Sequence, residues 1–220
     1  MNPKLWFENN QEDIISLRRY LHSIPEIGFN EFKTSKHIMN LLSDIGFSIR
    51  SNAKMQTGFY CELGSNEKNI LAIRCDMDGL DIDEDQDIDY KSINKGCMHA
   101  CGHDVHMAIL YTLAKYLSEM KLDFPGKIRF IFQPAEEQAP GGAEAMIEGG
   151  AIESVNKIIG FHVFPKLEAD SIGIKSGDMT ASVDLVNIEL SGPGGHTSRP
   201  EETVDLISAQ SYLIQELSDT

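Results

Sequence analysis

Ile14, Leu17 and Leu21 fall on one face of a 3.6-residue repeat, which predicts a helix from about Glu12 to His22. Pro25, in "SIPEIGF", breaks it. Phe32, Ile38, Leu41 and Leu42 repeat the pattern, so a second helix is expected from about Glu31 to Asp44, ended by Gly46. The period then shortens. "GFYCEL" and "NILAIRCD" are short apolar runs that read as strands. Helical spacing returns from Val105 to Met120, with Asp104 expected as its N-cap. "KIRFIF" reads as a strand, "GGAEAMIEGG" as a helix bounded by glycines, and "NKIIGFHVF" as a further strand.

Strands alternating with helices in this way indicate an α/β fold, a mainly parallel mixed sheet covered by helices. The apolar runs Ile70 to Ile73, Ile128 to Phe132 and Ile158 to Phe161 suit strands buried on both faces. After Ser176 the pattern changes. "ASVDLVNIELSG" is a partly alternating strand, "GPGGH" is a glycine-rich turn, and Val204, Ile207, Ile214 and Leu217 stand at helical spacing. One strand and one helix cannot bury their apolar faces alone. Residues 1–178 are therefore expected to form one domain and 179–220 to begin a second, cut off before its partner strands.

Composition narrows the function classes. The 220 residues are 41% hydrophobic, enough for one sizeable core and part of a second domain. No stretch approaches a transmembrane helix in length, and the N-terminus lacks a basic head followed by an apolar run. Four cysteines without a secretory signal suggest reduced thiols in the cytoplasm. The formal net charge of −15 argues against a nucleic-acid partner. Eight of the carboxylates lie in "DMDGLDIDEDQDID", where everything after Leu80 reads as a solvated loop.

"CMHACGHDVH", residues 97 to 106, concentrates thiols, imidazoles and a carboxylate, the groups that bind transition metals. Ligands of an open α/β sheet bind beyond the carboxyl ends of its strands. Four polar clusters are expected there or just before a helix: Asp76 and Asp78, the "HACGHD" run, Glu136 and Glu137, and His162. A closed zinc site would need a second cysteine hook after Cys97-x-x-x-Cys101, and none follows. The His-x-Glu and Pro-Cys-x-x-Cys of a zinc deaminase are absent. Cys101 with His103 as a nucleophile and base is disfavoured, because neighbours two apart do not readily present that geometry.

"RYLHSIPEIGFNE", "RCDMDGL", "MHACGHDVHMA", "FQPAEEQAPGGAEAMIEGG", "GFHVFP" and "SGPGGHTSRP" together resemble, in the same order, the aminoacylase and carboxypeptidase family of co-catalytic metallohydrolases. The branch is that of hippurate hydrolases, N-acyl-amino-acid amidohydrolases and auxin-conjugate hydrolases. The resemblance implies a zinc-peptidase-like domain followed by a ferredoxin-like lid and dimerisation domain. It implies two divalent ions per site, zinc or manganese first, with cobalt or nickel compatible. Cys101 would be shared by both ions, and His103, Glu137 and His162 would complete most of the set, one further histidine lying beyond Thr220. Glu136 would be the general base. Asp76, Asp78, His99, Asp104 and His106 would support the ligands. His196 would contact the substrate carbonyl from the lid, across a homodimer, and Arg199 would meet a substrate carboxylate. Asp81 departs from the family, which usually has proline after the leucine of "DGL".

The chemistry is coherent. A thiolate between two cations offsets their repulsion, and the pair can lower the pKa of a shared water from about 15.7 toward 7. Adjacent glutamates in a strand would face opposite ways, but after "QPA" the chain leaves the strand and both can turn inward. The expected activity is hydrolysis of the amide of an N-acyl amino acid, a small-molecule substrate, with no membrane partner. A dipeptidase or aminopeptidase-like activity is the runner-up, and a non-catalytic member that binds metal or a partner is the rival.

Overall fold

β1 (Phe59–Gly64), β2 (Ile70–Asp76), β3 (Lys127–Gln133) and β4 (Val155–Gly160) form one sheet in the order β1-β3-β2-β4. β2 runs parallel to both β3 and β4, while β1 pairs with β3 antiparallel, so the sheet is mixed and mainly parallel. The computed structural model describes residues 2–66, 68–121, 125–181 and 185–218. They divide into two units, Met1–Gly173 and Ile174–Thr220.

The sheet is covered on both faces. On one, α2 (Gln11–Ser23), α3 (Phe32–Asp44) and α4 (His103–Met120) enclose the larger core, which includes Leu21, Ile38, Leu42, Met107, Leu110, Phe130 and Phe132. Phe59 stacks on its cross-strand neighbour Phe132 at 4.7 Å, and Phe47 meets Phe130 edge-on. On the other face a 3-10 turn (Ala53–Met55) and α5 (Gly142–Glu148) enclose a smaller core of Met55, Ala72, Ile131, Met146 and Ala151.

The helices and strands expected for this unit form close to their predicted bounds, with informative differences. α1 (Pro3–Asn9) was not expected. Asn2 caps it by accepting from the Lys4 amide, Pro3 opens it, and the Trp6 indole packs on Tyr116 and donates to Glu119 at 2.7 Å. Asp104 is not the N-cap of α4; Gly102 is, in left-handed conformation at φ 90°. The Asp104 carboxylate is occupied elsewhere. β4 is not buried on both faces; among the described residues it ends the sheet opposite β1, with Ile158 57% and Ile159 50% exposed. It also stops at Gly160, so His162 lies beyond the strand. The acidic loop is not solvated throughout, because Glu84 is buried.

In the second unit, a 3-10 turn (Pro200–Glu202) precedes α6 (Leu206–Ser218). The strand expected over 181–192 does not form among the described residues, which exclude 182–184. A strand needs a partner to satisfy its amides. No helix among the described residues is long and apolar enough to cross a membrane.

Candidate metal centre

Parallel pairing sets the carboxyl ends of β2, β3 and β4 along one edge of the sheet, with Asp76 opposite Gln133 and Arg74 opposite Gly160. The chain leaves each end through a turn rich in donor atoms: Asp78 after β2, Glu136 and Glu137 after β3, His162 after β4. Cys101 and His103 arrive at the start of α4. Gly102 permits the approach. Its φ is left-handed, and a Cβ there would lie 2.5 Å from Val163.

His103 is wholly buried. Its Nδ1 donates to the Asp78 carbonyl at 2.8 Å, which leaves the Nε2 lone pair free. That Nε2 lies 3.6 Å from Glu137 Oε1 and 3.9 Å from Glu136 Oε2, with no hydrogen-bond partner. His162 repeats the arrangement: Nδ1 donates to the Val163 carbonyl at 2.6 Å, and Nε2 faces Cys101 Sγ at 3.3 Å. An imidazole whose second nitrogen is held by an oxygen is the usual disposition of a metal ligand. Glu137 Oε1 and Asp78 Oδ1 are also buried without hydrogen-bond partners. Two groups of donor atoms, Cys101, His103 and His162, and His103, Glu136 and Glu137, each lie within 4.8 Å of one another. Thiol, imidazole and carboxylate donors around orphaned buried atoms fit a divalent ion.

The third such group, Asp76, His103 and His106, fits less well. His106 Nδ1 donates to Asp76 at 2.6 Å, and its Nε2 accepts from the Val163 amide at 3.0 Å, so neither nitrogen is free. Arg74 donates to the other Asp76 oxygen at 2.7 Å and to Gln133 at 3.0 Å. The chain Arg74–Asp76–His106–Val163 thus fixes the backbone next to His162. Asp78 accepts the Glu137 amide at 2.9 Å, tying the turn after β3 to the turn after β2.

Electrostatics follow this geometry. Burial and the adjacent Glu137 and Glu136 carboxylates push the Cys101 thiol up to about 12. Burial and Glu137 also raise Glu136. Burial works against the Asp76 carboxylate, but His106, His103 and Arg74 outweigh it and hold Asp76 down at about 2.

The remaining expected residues are dispersed. Asp104 turns away from the cluster, accepting from His22 Nδ1 at 2.8 Å beside Arg18 Nε at 2.9 Å. His99 is buried with neither nitrogen bonded, and burial lowers it to about 4. Cys97 is buried against Gly79 and pushed up to about 11 by burial and by Asp81. In the second unit His196 is exposed, its Nδ1 accepting from the Ser198 hydroxyl at 2.8 Å, and Arg199 pairs with Glu202. Sequence reasoning missed Glu31, His22, Glu84 and Arg74. Glu31, His22 and Arg74 stand inside the quoted motifs, which was the available signal.

Residues 72–216 match the model of peptidase family M20/M25/M40. The chain belongs to that family. It is 40% identical over 205 residues to an N-acyl-L-amino acid amidohydrolase of Geobacillus stearothermophilus, covering 93% of this chain and 55% of that protein. It is 39% identical to an N-acetyl-L-cysteine deacetylase of Bacillus subtilis, covering 93% of this chain and 49% of that protein. A Bacillus subtilis structure described as a dinuclear metal binding peptidase of the M20 family aligns with TM-score 0.73 at 37% identity, over 77% of this chain and 48% of that one. The chain spans about half the length of the curated relatives it matches.

Proposed function

We propose that the protein is a metal-dependent amidohydrolase that cleaves N-acyl amino acids to a carboxylic acid and a free amino acid. The observation that carries this is the meeting of Cys101, His103, Glu136, Glu137 and His162 at one sheet edge, with two imidazole Nε2 atoms turned into the cluster. Likeness to relatives named for N-acyl-amino-acid hydrolysis supports the substrate class. Cys101, His103, Glu137 and His162 would hold divalent ions, zinc or manganese by donor type. Bound there, the ions would act as Lewis acids toward the scissile carbonyl and acidify water.

The chain's own residues would do the rest. Glu136 Oε2, 40% exposed at the side chain, would take a proton from the attacking water and deliver it to the leaving amine. Asp78 and the His106–Asp76 pair would orient the ligands. Residues 179–220 would begin a lid through which the protein dimerises in the cytoplasm, with His196 reaching the partner's substrate and Arg199 near its carboxylate. A carboxypeptidase-like or dipeptidase-like reading is the second choice, favoured by 38% identity to a thermostable carboxypeptidase of Saccharolobus solfataricus. The presence of Cys101, His103, Glu136, Glu137 and His162 together stands against a non-catalytic member.

The test is amino-acid release from acetyl-, benzoyl- and indoleacetyl-amino acids and from dipeptides, with metal content measured on the same protein. Glu136→Gln should keep its metal while kcat falls by about 10²–10⁴. Near-normal kcat in that variant removes the general-base role, and release from dipeptides alone selects the second reading.

A further inference from the structure

"SIPEIGFNE" has no role in this reading, yet it braces two of the turns that carry donor atoms. The Gly79 amide donates to the Glu26 carbonyl at 2.7 Å, and Ile27 bridges Gly79, next to Asp78. Farther along, the fully buried Glu31 reaches the exit of β3. Its Oε1 accepts the Ala135 amide at 2.8 Å, and its Oε2 accepts the Thr57 hydroxyl.

Ala135 is buried and left-handed, at φ 46°, a conformation a residue with a Cβ rarely adopts. Its carbonyl accepts the Gly142 amide at 2.8 Å, and a Cβ on Gly28 would come within 2.9 Å of its methyl. The turn is thus gripped from both sides. Its conformation has a consequence for the two residues that follow. Strand alternation would send adjacent glutamates to opposite faces. Here Glu136 and Glu137 both bring an oxygen within 3.9 Å of His103 Nε2.

We propose that Glu31 is a positioning residue whose carboxylate locks the left-handed turn at Ala135 and so aims Glu136 and Glu137 at one point. The inference rests on the amidohydrolase reading and assigns Glu31 no contact with substrate or metal.

The test uses protein expressed from its complete reading frame, with kcat, KM and Zn²⁺ affinity measured by competition with a chromogenic chelator. Glu31→Gln keeps an acceptor for the Ala135 amide and a partner for Thr57, and it should hold kcat and Zn²⁺ affinity within about threefold. Glu31→Met has similar length but no acceptor. It should lose about 10²-fold in kcat and about 10-fold in Zn²⁺ affinity with KM little changed. Glycine takes the left-handed turn without a Cβ penalty, so Glu31→Met/Ala135→Gly should regain part of the Zn²⁺ affinity. A Glu31→Met protein with normal kcat and Zn²⁺ affinity overturns the proposal, as does a Glu31→Gln protein equally impaired, or a double variant no better than Glu31→Met. If Glu31→Met does not fold, Thr57→Val should show the same pattern at about tenfold in kcat, and an unchanged Thr57→Val overturns it. Wild-type protein that neither binds Zn²⁺ nor hydrolyses any N-acyl amino acid removes the amidohydrolase reading and this inference with it. An active wild type with an unaffected Glu31→Met removes the inference alone.

Discussion

Cys97 and Cys101 stand four residues apart, yet their surroundings separate them. Cys97 is buried against Gly79, whereas Cys101 faces His162 Nε2 at 3.3 Å. Cys101→Ser should lower Zn²⁺ content, and Cys97→Ser should leave it unchanged; equal loss from both would show that the assignment is wrong. His22 offers a second test away from the metal cluster. Its ring bonds Asp104 at 2.8 Å and Glu84 at 3.0 Å, beside Arg18, with the Tyr90 ring at 5.5 Å. The Asp104 bond, opposed by burial and aided by Glu84, raises the His22 pKa in the folded state, while Arg18 works against the charge. A raised folded-state value contributes stability that is complete below the unfolded value of about 6.5 and is lost as pH rises through the folded one. His22→Gln should therefore destabilise more at pH 5.5 than at pH 8.5, by about 1–3 kcal/mol at the lower pH. Urea unfolding at both pH values measures this, and an equal loss at both refutes a charged His22.

At the scale of elements, the start of α4 carries the most consequence. Gly102 caps the helix at φ 90°, and its hydrogen faces Val163 where a Cβ would come within 2.5 Å. Gly46 has a similar φ of 93° but open space around its Cβ position. The pair separates backbone strain from site displacement. Gly102→Ala and Gly46→Ala should each cost about 1–2 kcal/mol from the left-handed conformation. Only Gly102→Ala should also weaken Zn²⁺ binding, because it pushes the segment that carries His162. Denaturant midpoints and Zn²⁺ titrations on the two variants decide this, and equal Zn²⁺ affinities would detach the cap from the metal centre.

At the scale of the whole molecule, the proposed lid has a functional test. If His196 serves the partner's site, full-length Glu136→Gln and His196→Ala proteins fail for different reasons and can complement. Random exchange makes half the dimers mixed, each with one site holding an intact Glu136 and an intact partner His196. Recovery of up to about a quarter of wild-type activity is expected. Demonstrated exchange with no recovered activity would confine His196 to its own chain, or remove it from the reaction.

The amino-acid pattern by itself determined the alternation of helices and strands in residues 1–173, because apolar spacing reports which face of each element is buried. It also singled out four donor clusters, Asp76 and Asp78, the "HACGHD" run, Glu136 and Glu137, and His162, since donor residues just after strands in an α/β chain have one edge on which to meet. The narrower set of Cys101, His103, Glu136, Glu137 and His162 is what the family resemblance implies. Strand order and exposure were not legible. Ile158 and Ile159 look like core in the sequence and are half exposed, because among the described residues no core cluster forms over them, whereas the other edge strand, β1, buries Phe59 and Cys61 under the helices. Asp104 and Glu84 look like a cap and a solvated charge. Both turn inward because His22, distant in sequence, offers a buried imidazole between them. Glu31 looked like the start of a helix, and only folding set it against Ala135, 104 positions away. Local pattern encodes the elements and the kinds of donor present. Which donors are left free for a ligand and which are consumed in holding others is decided by long-range hydrogen bonds, and those exist only once the chain has packed.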